Sequence, residues 1–211
     1  MVRGPAAGHD ELHERLIVAA LRVVADHGLA DLTVRRIAEA ADTSTMSVYS
    51  RFGSRAGVLD ALYRRAFLML GEAFAEVPRS ADHLMDLAMA YRSFALAGPA
   101  RYAFMFGQLP DFRPGQQLRA ETLPGCFGPL VAAVHAASGG GLADATRAAY
   151  FLWCVLHGMV GLELADVLKT PGWGVGPPDD GAGERMYVAG VRAMLVGLGL
   201  ADEHHSGATT S

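Results

Sequence analysis

The side chains best suited to bind another molecule are concentrated between Thr33 and Arg55. Hydroxyl groups cluster at positions 43–47, and a tyrosine and an arginine follow at positions 49 and 51. Hydroxyls, guanidinium groups and the free amides at a helix N-terminus all donate hydrogen bonds to phosphate oxygens. These residue types predict phosphate binding and not catalysis. The candidates for contact with a double-stranded DNA operator are Thr33, Arg35, Thr43, Ser44, Thr45, Met46, Ser47, Tyr49, Arg51 and Arg55.

Two short helices are predicted to position these side chains. Thr33 is a favourable N-cap for a helix that ends near Ala41, and Ser44 can cap another helix that Gly53 closes. The intervening turn at 42–44 places the later helix across the earlier one, free to enter a major groove. A helix over 11–27 precedes this pair. Ser54 caps a long fourth helix that meets no breaker before residue 78.

The charge distribution restricts where DNA can bind. The formal net charge of the chain is −4, which argues against nucleic-acid binding along its whole length. Residues 33–65 nevertheless hold six arginines and three acidic residues, a local charge of +3. Residues 66–211 hold nine basic and fourteen acidic residues, a charge of −5. DNA contacts are therefore expected only in the N-terminal part.

Residues 11–67 resemble the DNA-binding head of the TetR (tetracycline-repressor) family. The resemblance rests on the segment from Thr33 to Ala41, on Ser44, and on the run Ser47-Val-Tyr-Ser-Arg-Phe-Gly-Ser-Arg55. It implies phosphate contacts from Thr33, Tyr49, Arg51 and Arg55, and base contacts from Thr45, Met46 and Ser47. Three positions depart from the family pattern. Asp42 stands where glycine is common, and Thr45 and Met46 stand near where the family often has Lys or Arg followed by Gly or Ala. Met46 offers an apolar contact, for instance with a thymine methyl group.

The run Trp153-Cys-Val-Leu-His157-Gly158 resembles the TetR C-terminal class named for its Trp-His-Gly motif. In that class the last two helices of each subunit pack as a four-helix bundle, which implies a homodimer. A dimer also suits a palindromic operator, whose half-sites lie about 34–36 Å apart. The predicted interface residues are Leu156, Val160, Leu164, Tyr187, Val191, Met194 and Leu198.

Large side chains in the C-terminal part predict a cavity for a small-molecule effector. Most of them belong to an ordinary helical core on the simpler interpretation, and His157 is favoured as a core histidine satisfied by a hydrogen bond. Few charges lie among them, so the expected effector is an uncharged or weakly charged apolar molecule. The candidate ligand-binding residues are Tyr91, Phe94, Tyr102, Phe106, Phe127, Tyr150, Trp153 and His157.

Several other classes of function find no support in the sequence. No metal-ligand spacing, cofactor motif or catalytic constellation is present, so no cofactor is expected and an enzyme is disfavoured. Cys126 and Cys154 are predicted to be buried, reduced residues. The longest apolar run, 148–162, is too short for a membrane span, and the N-terminus lacks a signal peptide, which predicts a cytoplasmic protein without membrane contact. The alternative is a helical small-molecule binding protein with no DNA role.

The predicted fold is all-α: a three-helix helix-turn-helix head, joined by a long fourth helix to a helical domain for ligand binding and dimerisation. The predicted segments are a disordered arm at 1–10, the head at 11–67, the C-terminal domain at 68–200 and a disordered tail at 201–211. Further helices are expected at 80–97, 99–106, 117–137, 142–168 and 183–199. The helix over 117–137 is predicted to break or kink at Pro124 and Pro129.

Overall fold

A computed structural model describes residues 5–107, 112–167 and 181–201, and the side chains of residues 5–10 are not among those described. Every regular element in these ranges is a helix, which confirms the predicted all-α fold. The helices are α1 Pro5–His27, α2 Val34–Ala40, α3 Thr45–Phe52, α4 Arg55–Ala75, α5 His83–Ala97, α6 Pro99–Met105, α7 Gln116–Ser138, α8 Leu142–Leu164 and α9 Ala182–Gly197.

The observed boundaries of α6 and α7 lie within one residue of the predicted ranges. Helix α1 begins at Pro5, however, within the segment expected to be a disordered arm. Residues 1–4 and 202–211, together with most of the loop predicted at 171–183, lie outside the described residues. Among the described helices, none is by itself both long and apolar enough to cross a membrane. Helices α7 and α8 pass that criterion only as a pair, across a bend of 117°.

The first of two compact units comprises Met1–Met69 and Gly98–Leu123. It contains the three helices of the head and also α6, which the sequence analysis assigned to the C-terminal domain. Aromatic rings explain this grouping, because the ring of Tyr63 on α4 lies 6.2 Å from that of Phe104 and 5.8 Å from that of Phe112. Rings packed at such distances bury large apolar areas. The head is thus extended by segments that follow it in the sequence.

The second unit comprises Leu70–Ala97 and Pro124–Ser211, and its core lies between α5, α8 and α9. The hydroxyl of Tyr187 on α9 donates a hydrogen bond of 2.8 Å to the carbonyl of Ala88 on α5. Arg92, also on α5, is buried and donates to both carboxylate oxygens of Glu163 at 2.9 and 2.7 Å, and to Glu184 at 3.1 Å. A buried arginine is stable only when it is paired in this way. These polar contacts fix α8 and α9 against α5.

Helix α7 runs from Gln116 to Ser138 with both prolines inside it, so it does not break there, and the kink predicted as the alternative stays a prediction. Proline has no amide hydrogen, so Pro129 leaves the carbonyl of Gly125 without its helical donor. That carbonyl faces Gly71 of α4. A Cβ atom added to Gly71 would lie 2.9 Å from the Gly125 oxygen. The absence of a side chain at residue 71 therefore allows α4 and α7 to approach closely.

We expect Gly71→Ala to lower the free energy of unfolding by about 1–3 kcal/mol, the usual cost of forcing an extra carbon into a close contact. Gly125→Ala is the matched control, since its added Cβ would have no heavy atom within 4 Å. The control should be neutral or more stable by up to about 1 kcal/mol, because alanine favours a helix. Urea unfolding measures both changes. Equal stability of the two variants would contradict the close approach.

Candidate functional site

The N-caps predicted for α2 and α3 are confirmed. Thr33 has extended backbone angles, and its side-chain oxygen accepts a hydrogen bond of 3.2 Å from the amide of Arg36. Ser44 is also extended, and its side-chain oxygen accepts a hydrogen bond of 3.1 Å from the amide of Ser47. Both hydroxyl groups can still donate their own hydrogen. Between the helices, Asp42 has a φ of 49°, the left-handed conformation expected where the family has glycine.

Helix α3 packs through one face and exposes the other. Val48 is buried, and the ring of Phe52 lies 5.0 Å from that of His13 on α1. On the opposite face, Met46 is 72% exposed and Tyr49 50% exposed. The structure therefore presents Met46 and Tyr49, one predicted base contact and one predicted phosphate contact, to solvent on a helix held by its apolar side.

The exposed face of α3 includes one residue that the sequence analysis missed. Ser50 is exposed one helical turn after Met46, and its hydroxyl donates to the Ser47 carbonyl at 2.9 Å. The i, i+4 spacing from Met46 was the available signal. Thr45 is also exposed, whereas Thr43 and Ser47 are half-buried. The hydroxyls of Ser44 and Ser47 lie 3.0 Å apart. The hydroxyl cluster thus lies at the N-terminal end of α3.

The predicted DNA-binding arginines differ in their surroundings. Arg35 is exposed and bonded to Glu39 at 2.8 Å, and this hydrogen bond raises its pKa above the ordinary value. An exposed ion pair contributes little to stability, so a phosphate can replace Glu39 without a large cost. Arg51 is half-buried, and its Nε is a buried atom with no hydrogen-bond partner. Arg35 is therefore the more accessible of these two guanidinium groups.

Arg55 is directed toward the main chain of its own unit. Its Nε donates to the carbonyl of Leu32 at 2.9 Å, and its Nη2 donates to the carbonyl of Leu29 at 3.3 Å. A second arginine behaves similarly, because Nη2 of Arg15 donates to the carbonyl of Ala41 at 2.8 Å. These bonds do not support the phosphate contact predicted for Arg55.

A small apolar cavity lies within the second unit. Its free volume is about 10 Å³, room for one water molecule. Three of the predicted ligand-binding residues line it: Tyr91, Phe127 and Trp153. The other lining residues were not predicted from the sequence and are Leu70, Phe74, Leu87, Cys126, Leu130 and Leu156. Burial raises the pKa of the Cys126 thiol to about 12, so no lining side chain carries a charge at neutral pH.

A chain of hydrogen bonds joins two of the lining residues, Tyr91 and Trp153, to His157, which does not line the cavity. The indole Nε1 of Trp153 donates to the hydroxyl oxygen of Tyr91 at 3.3 Å. The same hydroxyl lies 3.1 Å from Nδ1 of His157. The indole can only donate, whereas the Tyr91 hydroxyl can both donate and accept, so its contact with Nδ1 fits either neutral tautomer of His157. Burial lowers the pKa of His157 below 6.5, in agreement with the neutral form.

We expect His157 to make the fold less stable in acid. The unfolded chain takes up a proton near pH 6.5, whereas the folded chain does so only at a lower pH, so stability is lost as pH falls below about 6.5. His157→Gln keeps an acceptor for Tyr91 and cannot be protonated. Unfolding free energies from pH 8 to 5 should show a smaller acid loss in this variant. His135→Gln, which changes an exposed histidine of α7, is the control and should match the wild type. Parallel pH profiles for wild type and His157→Gln would contradict the expected shift.

The other predicted ligand-binding residues do not line the cavity. Phe94 is buried in α5. The ring of Tyr150 is about half exposed and lies 4.5 Å from that of Phe127, so it packs on the outside of a lining residue. Tyr102 and Phe106 belong to the first unit, where their rings lie 4.8 Å apart. Tyr102 is buried in the core of that unit, and Phe106 is half-buried.

The predicted dimer interface requires correction. Four of its members are at most 2% exposed and lie in the core of the chain itself: Leu156, Val160, Tyr187 and Val191. They are buried because α8 and α9 pack against each other and against α5. Leu164, Met194 and Leu198 are half-buried. The apolar stripe read from the sequence is therefore largely the inner face of these helices.

A different face of α8 is apolar and exposed. Phe151 and Leu162 are 52% and 49% exposed, and Cys154 and Gly158 lie between them at helical spacing. Cys154 is exposed, so the prediction that it is buried is wrong, whereas Cys126 is buried as predicted. On α9 the exposed residues include Ala189, Ala193 and Gly197. We name Phe151, Cys154, Gly158 and Leu162 the α8 stripe.

Two family profiles match the chain. Residues 16–62 match the profile of bacterial regulatory proteins of the tetR family, and residues 84–187 match that of the tetracyclin repressor-like C-terminal domain. Together with the helix-turn-helix geometry, these matches show that the chain belongs to the TetR family. It is a DNA-binding transcriptional regulator and not an enzyme. The finer resemblance to the Trp-His-Gly class stays a prediction.

Solved structures share the fold. SCO4313, assigned as a regulatory protein, has a TM-score of 0.71 and 22% identity over 92% of this chain and 100% of that chain. A protein of unknown function from Rhodococcus sp. RHA1 has a TM-score of 0.68 and 26% identity over 86% and 94%. A TetR variant from Acinetobacter baumannii AYE in complex with minocycline has a TM-score of 0.59 and 19% identity over 87% of this chain and 94% of that chain. Among curated protein sequences, none matches the chain significantly.

Proposed function

We propose that this regulator is a repressor that binds a palindromic operator as a homodimer and leaves it when a small apolar molecule enters the second unit. The observation that carries the proposal is the uncharged, apolar cavity, beside which Tyr91 and Trp153 of its lining are hydrogen-bonded in a chain with His157. Effector sites are commonly apolar cavities with a few convergent polar groups.

On the DNA side, we propose that α3 enters the major groove with its exposed face toward the bases. Met46 and Thr45 would contact base edges. Phosphate contacts would come from the hydroxyl groups of Thr33, Thr43, Ser44, Ser47 and Tyr49, from the exposed Arg35 and from the half-buried Arg51. Arg35 can exchange Glu39 for a phosphate because both side chains are exposed.

The proposed homodimer forms through the α8 stripe together with the small exposed residues of α9. An exposed run containing Phe151 and Leu162 on one helix is unusual for a surface that remains in water. Alanine and glycine at 189, 193 and 197 allow a partner helix to approach closely. Two-fold pairing of this face would give each operator half-site one head.

The proposed effector is neutral and must enlarge the cavity to enter it, since the free volume admits only one water molecule. Leu70 and Phe74 of α4 are among the side chains that it would displace. Helix α4 begins at Arg55, within the head, and runs without interruption to Ala75. Movement at its C-terminal end therefore offers a route by which ligand binding changes DNA affinity. The TetR variant from Acinetobacter baumannii, which shares this fold, was solved in complex with minocycline, a ring-containing molecule, and this is consistent with a ring-containing effector here.

Two experiments test the proposal. Selection from random duplex DNA should yield a palindrome whose half-site centres lie about 34–36 Å apart. Native mass spectrometry of the purified chain should identify the bound molecule, and Trp153→Ala should retain less of it than the wild type. Arg147→Ala, an exposed change at the start of α8, is the control. Selection of a non-repeated sequence would contradict the dimeric operator, and unchanged retention by Trp153→Ala would contradict the cavity.

A further inference from the structure

Two arginines from different helices donate hydrogen bonds to main-chain carbonyls at opposite ends of α2. Arg55, in the first turn of α4, donates to the carbonyls of Leu32 and Leu29 just before α2. Arg15, on α1, donates to the carbonyl of Ala41, the C-cap residue of α2. Arg55 is half-buried and Arg15 is exposed, but both hydrogen bonds are partly shielded from solvent within the first unit. Helix α2 is thus held at its start from α4 and at its end from α1.

The carbonyl of Leu29 also accepts a hydrogen bond of 3.1 Å from the amide of Leu32, whereas the arginines are the donors described for the carbonyls of Leu32 and Ala41. Leu29, Leu32 and Ala41 are buried residues, and carbonyl groups in such places require hydrogen-bond partners. Leu32 directly precedes Thr33, the N-cap of α2. Ala41 directly precedes Asp42, whose left-handed backbone begins the turn into α3. The two arginines therefore act at the points where the chain enters and leaves α2.

We propose that Arg15 and Arg55 are positioning residues for DNA binding, which fix both ends of α2 and so set the orientation in which α3 meets the groove. Helix α2 has only seven residues, and helices so short are not stable on their own. Its position must come from tertiary contacts. Direct hydrogen bonds from α1 and α4 orient it, whereas the apolar contacts of Ile37 and Ala38 are not directional.

Lysine separates this role from a phosphate contact. A lysine at position 55 retains the positive charge and can contact a phosphate, but its single ammonium cannot reproduce the planar fork that bonds two carbonyls. Lysine is therefore expected to preserve part of the DNA affinity if Arg55 contacts a phosphate, and to lose it if Arg55 positions α2.

The test compares Arg55→Lys and Arg55→Gln in the full chain, with operator and random duplex DNA over a range of salt concentrations. We expect both variants to bind the operator at least about tenfold more weakly, the effect of one lost charged hydrogen bond. Their binding to random DNA should change less, and the salt slope of operator binding should stay within about half a unit of the wild type. Arg22→Gln, an exposed change on α1, is the control for removal of one positive charge.

Wild-type operator affinity in Arg55→Lys, combined with a salt slope smaller by about one in Arg55→Gln, would overturn the proposal in favour of a phosphate contact. Hydrogen exchange gives a second readout that does not depend on DNA. Amides of α2 should exchange faster in Arg55→Lys and in Arg15→Ala than in the wild type, at a temperature where circular dichroism shows all proteins folded. Unchanged exchange of α2 in both variants would also overturn the proposal.

Discussion

Tyr49→Ala and Arg51→Ala are each expected to weaken binding to every DNA sequence by about 10- to 100-fold, the range of one lost hydrogen bond to a charged group. Both residues lie on α3, and the Tyr49 side chain is half exposed on the face opposite the buried Val48. Because a phosphate contact carries no sequence information, specific and random DNA should lose affinity alike. Fluorescence anisotropy with labelled duplexes measures the effect.

The salt dependence distinguishes the two side chains. Arg51→Ala removes a positive charge, so the slope of log affinity against log salt should fall by about one, whereas Tyr49→Ala should leave it unchanged. Arg147→Ala, on an exposed side chain of the second unit, should change neither affinity nor slope. Wild-type affinity in both α3 variants would show that this face of the helix does not contact DNA.

Phe151→Asp and Leu162→Asp together are expected to convert the protein to a monomer and to reduce operator affinity by more than about 100-fold. Two unpaired carboxylates in an apolar contact are costly to bury, and a monomer engages only one half-site. Sedimentation velocity measures the association state, and anisotropy measures the loss of operator binding. Binding to a single half-site should remain.

A substitution in the core of the second unit is expected to lower stability and to leave the dimer intact. Leu156→Ala removes a side chain that is only 2% exposed, so we expect a loss of about 2–5 kcal/mol in stability without a specific loss of dimer. A dimeric Phe151→Asp, Leu162→Asp protein would show that the α8 stripe is not the interface. A monomeric Leu156→Ala protein of normal stability would return the interface to the residues first predicted from the sequence.

The head could be predicted from the sequence because local rules determine its form. Thr33 and Ser44 are capping residue types and cap as expected, and Asp42 adopts the left-handed conformation that a short polar residue tolerates. These features depend on neighbours within a few residues. The exposed positions of Met46 and Tyr49 followed from the same short-range periodicity.

Contacts between distant residues could not be predicted in this way. An apolar stripe on α8 or α9 has the same pattern whether it faces the core or a second subunit, so Leu156 and Tyr187 were assigned to the wrong surface. The two faces differ only in what packs against them, which here is α5. Arg55 carries the residue type of a phosphate contact, but its acceptors are 23 and 26 residues away.

The operator dissociation constant of the ligand-saturated chain, compared with that of the ligand-free chain at one salt concentration, tests the central claim most directly. The account predicts a ratio of at least about ten, or 1.4 kcal/mol of coupling between the cavity and the head. The same molecule should then bind about ten times more weakly to the operator complex, because coupling is reciprocal. Equal operator affinities with the cavity full and empty would contradict the account.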